Sequence, residues 1–452
     1  MIFFDSNSLI IHNELNNDIN ELYEQKSYYE KEIVKDNIEL KLIQSDSGLE
    51  KYAREKLFMK KDNEEVFLIE YDTISNEMKD SKNLEKAWKD KIILDLGTDS
   101  YKRLFSKTNE GITISPHYTS NKKSLINPEK LLFPKEWDIV NEIECNKTTD
   151  LNKQIKSLYE NEIKNLIISN YEDQFIDNSL LLHGNIYFKT DKPVNYNPKF
   201  KLLIEPNLNS TEPIDLNKFY QKNFRLNLTS GFFKDSGANI VQEIAFTLSA
   251  GIDYVNKFGS SLFNKISFEL IQGNSYFFEI AKIQATRILW SIISKKYGNQ
   301  IDDCIITAKP TSKNKTTKNY NNNIIRTTSE CMSGILGGCD FIKSIPYDVK
   351  FKEQNEFSHR ITNNQLLILK NETLIKFVNN SISGSYYITY LIEKLAEKSL
   401  ELIKKIEENG GYFHDQKNQE IFQEILMNHK REKEQYESGD KVLVGQNKFI
   451  NA

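Results

Sequence analysis

The first part of the chain has a regular stripe of apolar positions, spaced four and three residues apart. Seven of the nine positions in this stripe are apolar, and the nine are Leu15, Ile19, Leu22, Lys26, Tyr29, Ile33, Asp36, Leu40 and Ile43. A heptad stripe keeps facing a partner helix as the two wind together, so the spacing predicts a coiled coil with a coiled-coil partner over residues 12–46. Because Lys26 and Asp36 interrupt the stripe, a single amphipathic helix on the downstream domain is the alternative.

A short cap is predicted after the coil. Gly48 breaks the helix, Leu49–Leu57 has the pattern of a short helix, and Glu65–Tyr71 that of a strand. Together with the coil, these elements form a predicted first unit over residues 1–72. The polar residues that follow predict a linker, which begins an extension over residues 73–136.

From Trp137 onward, apolar β-rich runs alternate with helical patterns. The eight candidate strands are Trp137–Cys145, Asn165–Ser169, Leu180–His183, Leu202–Glu205, Phe224–Thr229, Ile266–Ile271, Cys304–Ala308 and Cys339–Lys343. The helical patterns between them include Leu151–Lys164, Asn239–Lys257, Ser275–Tyr297 and Asn322–Leu336. This alternation predicts an α/β fold, a (β/α)8 TIM-type barrel over residues 137–384. A doubly wound open sheet is the alternative, but it requires a Gly-rich phosphate turn after the first strand, and the sequence has none there.

Helices are predicted to complete the C-terminal part, residues 385–452. Within Gly384–Gly411, Ile388, Leu391 and Leu395 lie near one helical face, and the double glycine provides a stop.

Composition and charge exclude several classes of protein. The chain of 452 residues has 60 Lys plus Arg against 64 Asp plus Glu, so its net charge of −4 indicates no nucleic acid partner. None of the four cysteines belongs to a CxxC pair, which predicts buried, reduced thiols and no zinc site. No apolar run reaches the roughly 18 residues of a membrane span, and the N-terminus is too short and interrupted for a signal peptide. The sequence therefore predicts a cytoplasmic protein.

Barrel enzymes place their active sites at the C-terminal ends of the strands. His183, Lys309 and Lys343 each follow a candidate strand. A solvated or hydrogen-bonded rim residue is the alternative for all three. No Ser/His/Asp grouping and no HxH or HxxxH pair emerges from the sequence.

The segment Asn319–Ile342 is polar and rich in glycine, and it can be explained as structure. Its asparagines at 321–323 are expected to cap a helix with their side-chain oxygens. Ser333, Gly334, Gly337 and Gly338 are small enough to allow close contact between that helix and the sheet.

The N-terminal unit resembles the septum formation initiator family of bacterial division proteins. The coil followed by YARE and KDNEEVF carries the resemblance over residues 1–72. In that family a membrane helix precedes the coil, and here only MIFF can be its remnant. The resemblance thus implies a membrane link only if an upstream segment is missing, through a truncated fusion or a start inside a longer reading frame. A cell-division coiled-coil scaffold fused to the remnant of a second protein is one interpretation.

A second resemblance covers roughly residues 84–450. The motifs that carry it are EGITISPHY, FEIAKIQATRILW, NNNIIRTTSECMSGILGGCDFI, RITNNQLLILKNE, SGSYYITYL and SGDKVLVGQNKF. Together they resemble the barrel half of adenosylcobalamin-dependent methylmalonyl-CoA mutase, in family order. The resemblance implies a barrel that threads coenzyme A along its axis, a separate C-terminal cobalamin module, and interconversion of succinyl-CoA and (R)-methylmalonyl-CoA by radical chemistry of the cofactor.

The chain departs from the catalytic pattern in three places. The family's Tyr-x-x-Arg-Pro-Trp clamp is replaced by SNKKSLINPEKLLFPKEW, and Ala308 and Lys313 stand where a His and a Gly are expected near Thr311-Ser312. No Asp-x-His-x-x-Gly cobalamin signature occurs, so the cobalamin module is expected to be absent.

The resemblance, with these losses, implies the small, non-catalytic subunit of the mutase. It would form a heterodimer with a catalytic large subunit, and adenosylcobalamin would lie on that partner. No catalytic, cofactor or metal residue is assigned to this chain. An active barrel served by a separate cobalamin protein is the alternative. The family-motif positions expected to be structural are Asn323, Arg326, Thr327, Thr328, Gly337, Gly338, Gln365, Gly384, Tyr386 and Tyr387.

Overall fold

The computed structural model describes Lys26 and residues 81–450 apart from 120–130, 147–149, 173–174, 194–199, 220–222, 300–302, 353–354, 379 and 415–419. The chain separates into two compact units, Met1–Lys79 and Asp80–Ala452. Apart from Lys26, the predicted coiled coil, its cap and the segment that resembles the septum formation initiator family lie outside the described residues. The second unit contains the barrel.

Two short helices and a hairpin precede the barrel. Helix α1 spans Ser81–Leu96 and α2 spans Thr98–Arg103, and between them Gly97 has φ +81°, a conformation that favours glycine. Strands β1 (Ser106–Lys107) and β2 (Thr113–Ile114) pair antiparallel. EGITISPHY is therefore extended at its centre.

Eight parallel strands close into a barrel in the order β10-β3-β4-β5-β6-β7-β8-β9. They are β3 (Asp138–Glu144), β4 (Asn165–Ser169), β5 (Asn185–Thr190), β6 (Lys201–Ile204), β7 (Phe224–Thr229), β8 (Ile266–Gln272), β9 (Ile305–Pro310) and β10 (Phe341–Ile342). The predicted (β/α)8 fold is confirmed.

Helices surround the barrel and continue beyond it. They are α3 (Leu151–Glu160), α4 (Asn178–His183), α5 (Gly231–Ser236), α6 (Ile240–Phe258), α7 (Tyr276–Lys296), α8 (Asn322–Leu336), α9 (Glu356–Asn371), α10 (Tyr386–Glu408) and α11 (Glu420–Ser438). Helix α10 packs against α6 and α7. Its end before Gly410-Gly411 agrees with the predicted glycine stop.

The main core lies between the outward face of the strands and the helices. Leu226, Leu228 and Phe268 from the strands join the buried faces of α6 and α7 in one cluster. Gly251 of α6 allows the close approach of α7, because a Cβ there would stand 3.0 Å from the Trp290 ring. The amphipathic helices are thus held to the sheet by burial of apolar side chains.

One predicted strand, Leu180–His183, is wrong, because these residues belong to α4. Asp177 accepts a hydrogen bond from the Ser179 amide and begins the helix, and Leu182 is 85% exposed. The strand begins after this helix, at β5, where buried and less buried residues alternate. The three consecutive leucines have the apolar pattern of a buried strand, whereas the capping aspartate before them indicates a helix.

Helix α8 begins and ends where the sequence predicts, but its expected caps are wrong. Asn321 is the N-cap residue, and its side chain makes no capping hydrogen bond. Asn323 is buried, and its Oδ1 accepts from the Thr316 amide at 2.9 Å. Its side chain thus connects the helix to the preceding loop.

All four cysteines lie in the described part of the chain, where they are buried and free, as expected. No helix within the described ranges is long and apolar enough to cross a membrane.

Candidate functional site

The barrel interior is formed by alternate residues of the strands. Successive side chains of a strand point to opposite faces, so those not directed at the helices point toward the axis. Val140, Ile167 and Leu203 form a small buried cluster, against which Tyr187 and Phe341 pack. This cluster is separate from the core beneath the helices, and it fills one level of the barrel axis.

The next level, toward the C-terminal ends of the strands, contains charges. Lys343 Nζ lies 3.1 Å from Glu142 Oε2 and 2.6 Å from Glu269 Oε2. Lys189 Nζ lies 3.2 Å from Glu142 Oε1 and 2.7 Å from Glu205 Oε1. Two of these pairs, Lys343–Glu269 and Lys189–Glu142, each skip one strand of the barrel, whereas Lys343–Glu142 and Lys189–Glu205 join neighbouring strands. We call this set the axial ion network: Glu142, Lys189, Glu205, Glu269, Lys309 and Lys343.

Uncharged side chains complete the network. Asn227 Nδ2 donates to Glu205 Oε2 at 2.9 Å, and Ser267 Oγ donates to Asn227 Oδ1 at 3.0 Å. The Lys309 ammonium group lies 3.7 Å from Glu269 Oε1, at the more exposed end. Three lysines therefore balance three glutamates, and most of the carboxylate oxygens have a partner.

The pKa values of Glu142, Glu269 and Lys343 move away from neutrality. Burial acts to raise the pKa of Glu269, but Lys343 and Lys309 outweigh it and hold this pKa at about 2. Burial likewise opposes ionisation of Glu142, yet Lys343 and Lys189 lower its pKa. Burial acts to lower the pKa of Lys343, and the nearby carboxylates raise it instead. A general acid or base works best with a pKa near the working pH, so these groups are poor catalysts of proton transfer.

The three strand-end candidates from the sequence have different positions. His183 ends α4, before β5, so it does not lie at the C-terminal end of a strand, and its Nδ1 lies 2.6 Å from the Ser179 carbonyl oxygen. Lys343 and Lys309 do lie at the C-terminal end of the barrel, both beside Glu269. The structure brings the two lysines together as members of the axial ion network.

The family-motif residues on α8 make hydrogen bonds within the protein. Asn323 Nδ2 donates to the carbonyl oxygens of Thr316 and Tyr347, each at 2.9 Å. Arg326 Nη1 donates to Asn323 Oδ1 at 2.8 Å. These bonds fix the loop before α8 and the segment after β10.

The remaining polar motif positions connect α8 to α9. Gln365 Nε2 donates to the Ile324 carbonyl oxygen at 2.8 Å and to Thr328 Oγ1 at 2.9 Å. Thr327 Oγ1 and Thr328 Oγ1 donate to carbonyl oxygens one turn earlier in α8. The polar groups are used in packing two helices.

The glycine pair at the end of α8 lies against α7. A Cβ at Gly337 would stand 2.8 Å from the Ile280 carbonyl oxygen, and one at Gly338, where φ is +85°, would stand 2.7 Å from Phe133. Arg287 Nη2 donates to the Gly338 carbonyl oxygen at 2.7 Å. Only glycine permits this approach.

The other motif positions lie at the start of α10. Gly384 has φ +86°, and Ser385 caps the helix by accepting from the Ile388 amide. Tyr386 is exposed, whereas the Tyr387 ring lies 5.0 Å from that of Tyr118 and 5.6 Å from that of Phe277.

Two clefts open at the C-terminal face. The first, of about 890 Å³, lies over the ends of β3 to β7, and Lys189 and Glu205 form part of its floor. The second, of about 790 Å³, lies between the loops after β7 to β9 and the C-terminal strap, defined as α11 with residues 439–450. Lys313 Nζ lies 2.7 Å from Glu432 Oε2 of the strap, and Arg326 Nη2 donates to the Val444 carbonyl oxygen at 2.5 Å.

Among the described residues that line the two clefts, one imidazole, that of His429, could serve as a ligand to a metal ion or to the cobalt of adenosylcobalamin. Imidazole is the commonest protein ligand for metals, and His429 is the histidine among the described residues that line the second cleft. Its Cβ would stand 2.5 Å from a Cβ at Gly237, so the side chain is packed against the end of α5. Across the described ranges, no group of three or more His, Cys, Asp or Glu side chains can hold a metal.

Sequence reasoning missed four members of the axial ion network: Glu142, Lys189, Glu205 and Glu269. A signal was present, because Glu142 in DIVNEIE, Lys189 in NIYFKT and Glu269 in ISFELIQ are each charged residues between two uncharged neighbours inside a strand. Charged residues are almost never fully buried unless they are paired. Three such strands in one barrel could have indicated mutual pairing.

Comparison with known proteins agrees with this architecture. Residues 217–452 match the family described as methylmalonyl-CoA mutase. A methylmalonyl-CoA mutase small subunit of Porphyromonas gingivalis is 32% identical over 238 residues, which cover 50% of this chain and 38% of that protein. A methylmalonyl-CoA mutase of Rhizobium meliloti is 33% identical over 192 residues, 40% of this chain and 27% of that protein.

A methylmalonyl-CoA mutase large subunit of Porphyromonas gingivalis is also similar, at 29% identity over 48% of this chain and 31% of that protein. The chain thus matches about a third of the length of these curated relatives. The match to the family covers more than half of the chain, including the second half of the barrel and the strap. This chain belongs to the methylmalonyl-CoA mutase family.

Proposed function

We propose that this chain is a non-catalytic small subunit of an adenosylcobalamin-dependent methylmalonyl-CoA mutase, and that it stabilises a catalytic large subunit. The axial ion network is the observation on which the proposal depends. The catalytic members of the family are expected to thread the coenzyme A arm along the barrel axis. Here, that axis contains an apolar cluster and then three lysines paired with three glutamates.

A substrate arm entering this axis would have to break the pairs. Lys343 is 3% exposed and Glu269 is 4% exposed, so separating them leaves charges in a site with little water. Breaking a buried pair costs about 3–5 kcal/mol. Binding energy spent in this way is lost to transition-state stabilisation. The axis therefore opposes substrate threading.

The relatives support a role in an assembly. Both a small and a large mutase subunit from one organism are similar to this chain. Duplicated folds tend to inherit self-complementary surfaces, so a barrel of this kind is suited to pair with a catalytic barrel. Adenosylcobalamin and the radical chemistry would reside on that partner, and this chain would contribute stability.

Co-expression with a large mutase subunit from the same organism tests the proposal. We expect the two chains to co-purify in equal amounts and the large subunit to unfold at a higher temperature in the complex. The single chain, supplied with adenosylcobalamin and succinyl-CoA, should show no turnover and no binding of succinyl-CoA by calorimetry.

A control distinguishes the non-catalytic subunit from the alternative of an active barrel served by a separate cobalamin protein. The single chain is mixed with a separately expressed cobalamin-binding domain, and mutase turnover is measured again. Turnover in that mixture, or by the chain alone, would overturn the non-catalytic assignment. Failure to associate with the large subunit would overturn the proposed partnership. The scaffold interpretation of the N-terminal unit concerns residues 1–72 and stays a prediction.

A further inference from the structure

A buried turn connects α10 to the C-terminal strap. Gly410 and Gly411 both have φ +97°, which lets the chain reverse after α10. Tyr412 and Phe413 then insert into the core with 0% and 5% exposure. Tyr412 Oη donates to the Leu208 carbonyl oxygen at 2.6 Å. These two rings fix the turn before the chain continues into the strap.

The Asp253 carboxyl group of α6 holds the backbone of this turn. Asp253 Oδ2 accepts from the Phe413 amide at 2.9 Å. A Cβ at Gly411 would clash with Asp253 Oδ1, so only glycine allows the carboxyl group to lie so close. The position of the turn therefore depends on where this carboxyl group lies.

A second carboxyl group, Glu407, belongs to the last turn of α10, where the Glu407 carbonyl oxygen accepts from the Gly410 amide and the Ile406 carbonyl oxygen accepts from the Gly411 amide, each at 3.0 Å. Its Oε1 is buried and has no hydrogen-bond partner among the described residues. The C-terminal end of a helix disfavours negative charge, which adds to the repulsion between the two groups. Burial and Asp253 together raise the pKa of Glu407 to about 7.

The other charged and titratable groups around Glu407 and Asp253 supply little positive charge to offset the repulsion between two carboxylates. From the end of α7, Tyr297 faces both carboxyl groups, and its Oη donates to Asn256 Oδ1 at 2.7 Å. Lys257 of α6 donates to the Pro213 carbonyl oxygen, and Lys405 of α10 donates to Glu424 of the strap. On the turn itself, the His414 ring would stand 3.1 Å from a Cβ at Gly410.

We propose that ionisation of Glu407 loosens the contact between Asp253 and the turn, and so releases the buried Tyr412-Phe413 pair that precedes the C-terminal strap. The neutral Glu407 carboxyl tolerates the Asp253 carboxylate beside it. The ionised form places two like charges together, and the carboxylate that holds the Phe413 amide is the one that is displaced.

Proton linkage determines whether stability rises or falls with pH. Glu407 ionises at a higher pH in the folded chain than in the unfolded chain, where its pKa is about 4.3. The folded state therefore binds more protons between these values, and its stability falls as pH rises through that window. Below about pH 5 the Asp253 carboxylate holds the turn, and above about pH 8 this contact is loosened.

Hydrogen exchange of the full chain between pH 5.5 and 8.5 tests the proposal. We expect protection of the Tyr412 and Phe413 amides, corrected for intrinsic exchange, to fall about tenfold or more over this range, since each pKa unit corresponds to a factor of ten. The Glu407→Gln variant, which keeps the size and loses the charge, should show constant protection. The Asp253→Asn variant should show a smaller decline than the wild type, because the amide oxygen can still accept from Phe413 and no second carboxylate is repelled, while the burial of Glu407 remains.

Two variants serve as controls. Glu408→Gln changes the exposed neighbour of Glu407, and His414→Gln removes the imidazole on the turn. Both variants should keep the wild-type pH dependence. Constant protection in the wild type, or a wild-type decline in Glu407→Gln, would overturn the proposal. Loss of the decline in His414→Gln would assign the effect to the histidine and overturn it equally.

Discussion

Lys343 and Glu269 form an ion pair inside the barrel, with Nζ and Oε2 2.6 Å apart and the two side chains 3% and 4% exposed. Glu269 lies on β8, and Lys343 directly follows β10, so the pair reaches past β9. Each charge depends on the other, because little water is available to replace a lost partner.

Removal of one partner should be strongly destabilising. We expect Lys343→Met to lower the free energy of unfolding by about 3–5 kcal/mol, because Glu269 and Glu142 lose their shared buried cation. Urea unfolding followed by circular dichroism measures the change. Lys296→Met, at an exposed lysine of α7, is the matched control and should change stability by less than about 0.5 kcal/mol.

Removal of both partners should recover part of that loss. In the double variant Lys343→Met with Glu269→Gln, the uncompensated carboxylate is gone, so the two single effects should not add. Additive losses would contradict a direct coupling between these two side chains.

Acid should weaken the fold through the same network. The folded pKa of Glu269 is about 2, below the roughly 4.3 of an unfolded glutamate. The folded state therefore binds fewer protons, and the contribution of Glu269 is complete above about pH 5 and is lost as pH falls toward 2, by about 3 kcal/mol in all.

Chemical unfolding at several pH values between 7 and 2.5 checks this expectation. Glu269→Gln should have a shallower decline in stability than the wild type, while Glu160→Gln, at an exposed position of α3, should retain the wild-type decline. Equal slopes in all three proteins would be inconsistent with the pairing described.

We expect stability to depend on the buried side chain of Asn323 and not on the exposed side chain of Asn321. Asn323→Ala leaves the Thr316 amide and the Thr316 and Tyr347 carbonyl oxygens without this partner. Each unsatisfied buried group costs about 1–3 kcal/mol, so we expect a total loss of about 2–4 kcal/mol. Asn321→Ala removes an exposed side chain with no capping bond, and a loss above about 1 kcal/mol there would contradict this account.

Glycine substitutions can separate crowding from backbone strain. Gly337 has φ −71°, but a Cβ added there would stand 2.8 Å from the Ile280 carbonyl oxygen. Gly298 has φ +74° and open space around it. We expect about 1–3 kcal/mol of destabilisation for Gly337→Ala from crowding, about 1 kcal/mol for Gly298→Ala from strain, and the largest loss for Gly338→Ala, which combines both. Thermal unfolding of the three variants gives the order, and equal losses would refute the distinction.

The alternation of strands and helices was sufficient to predict the barrel. Two strands, Asn165–Ser169 and Phe224–Thr229, and helix Asn322–Leu336 have the bounds expected from the sequence. The error at Leu180–His183 arose because an apolar run does not distinguish a short helix from a strand, and the capping role of Asp177 decides between them.

The interior of the barrel was less accessible to sequence reasoning. Lys343 was noted as a strand-end lysine, but its partners Glu142 and Glu269 lie 201 and 74 residues earlier in the chain. Pairing at that range depends on strand order and on the distance across the closed barrel. Neither quantity is encoded in the local spacing of residues.

The axial ion network also constrains how the chain can change over generations. Three cations and three anions are held in balance, so any single replacement on the way to a hollow barrel leaves one charge stranded. Such intermediates lose several kcal/mol, which is much of the margin that keeps a domain folded. A balanced network of this kind is therefore hard to remove one residue at a time.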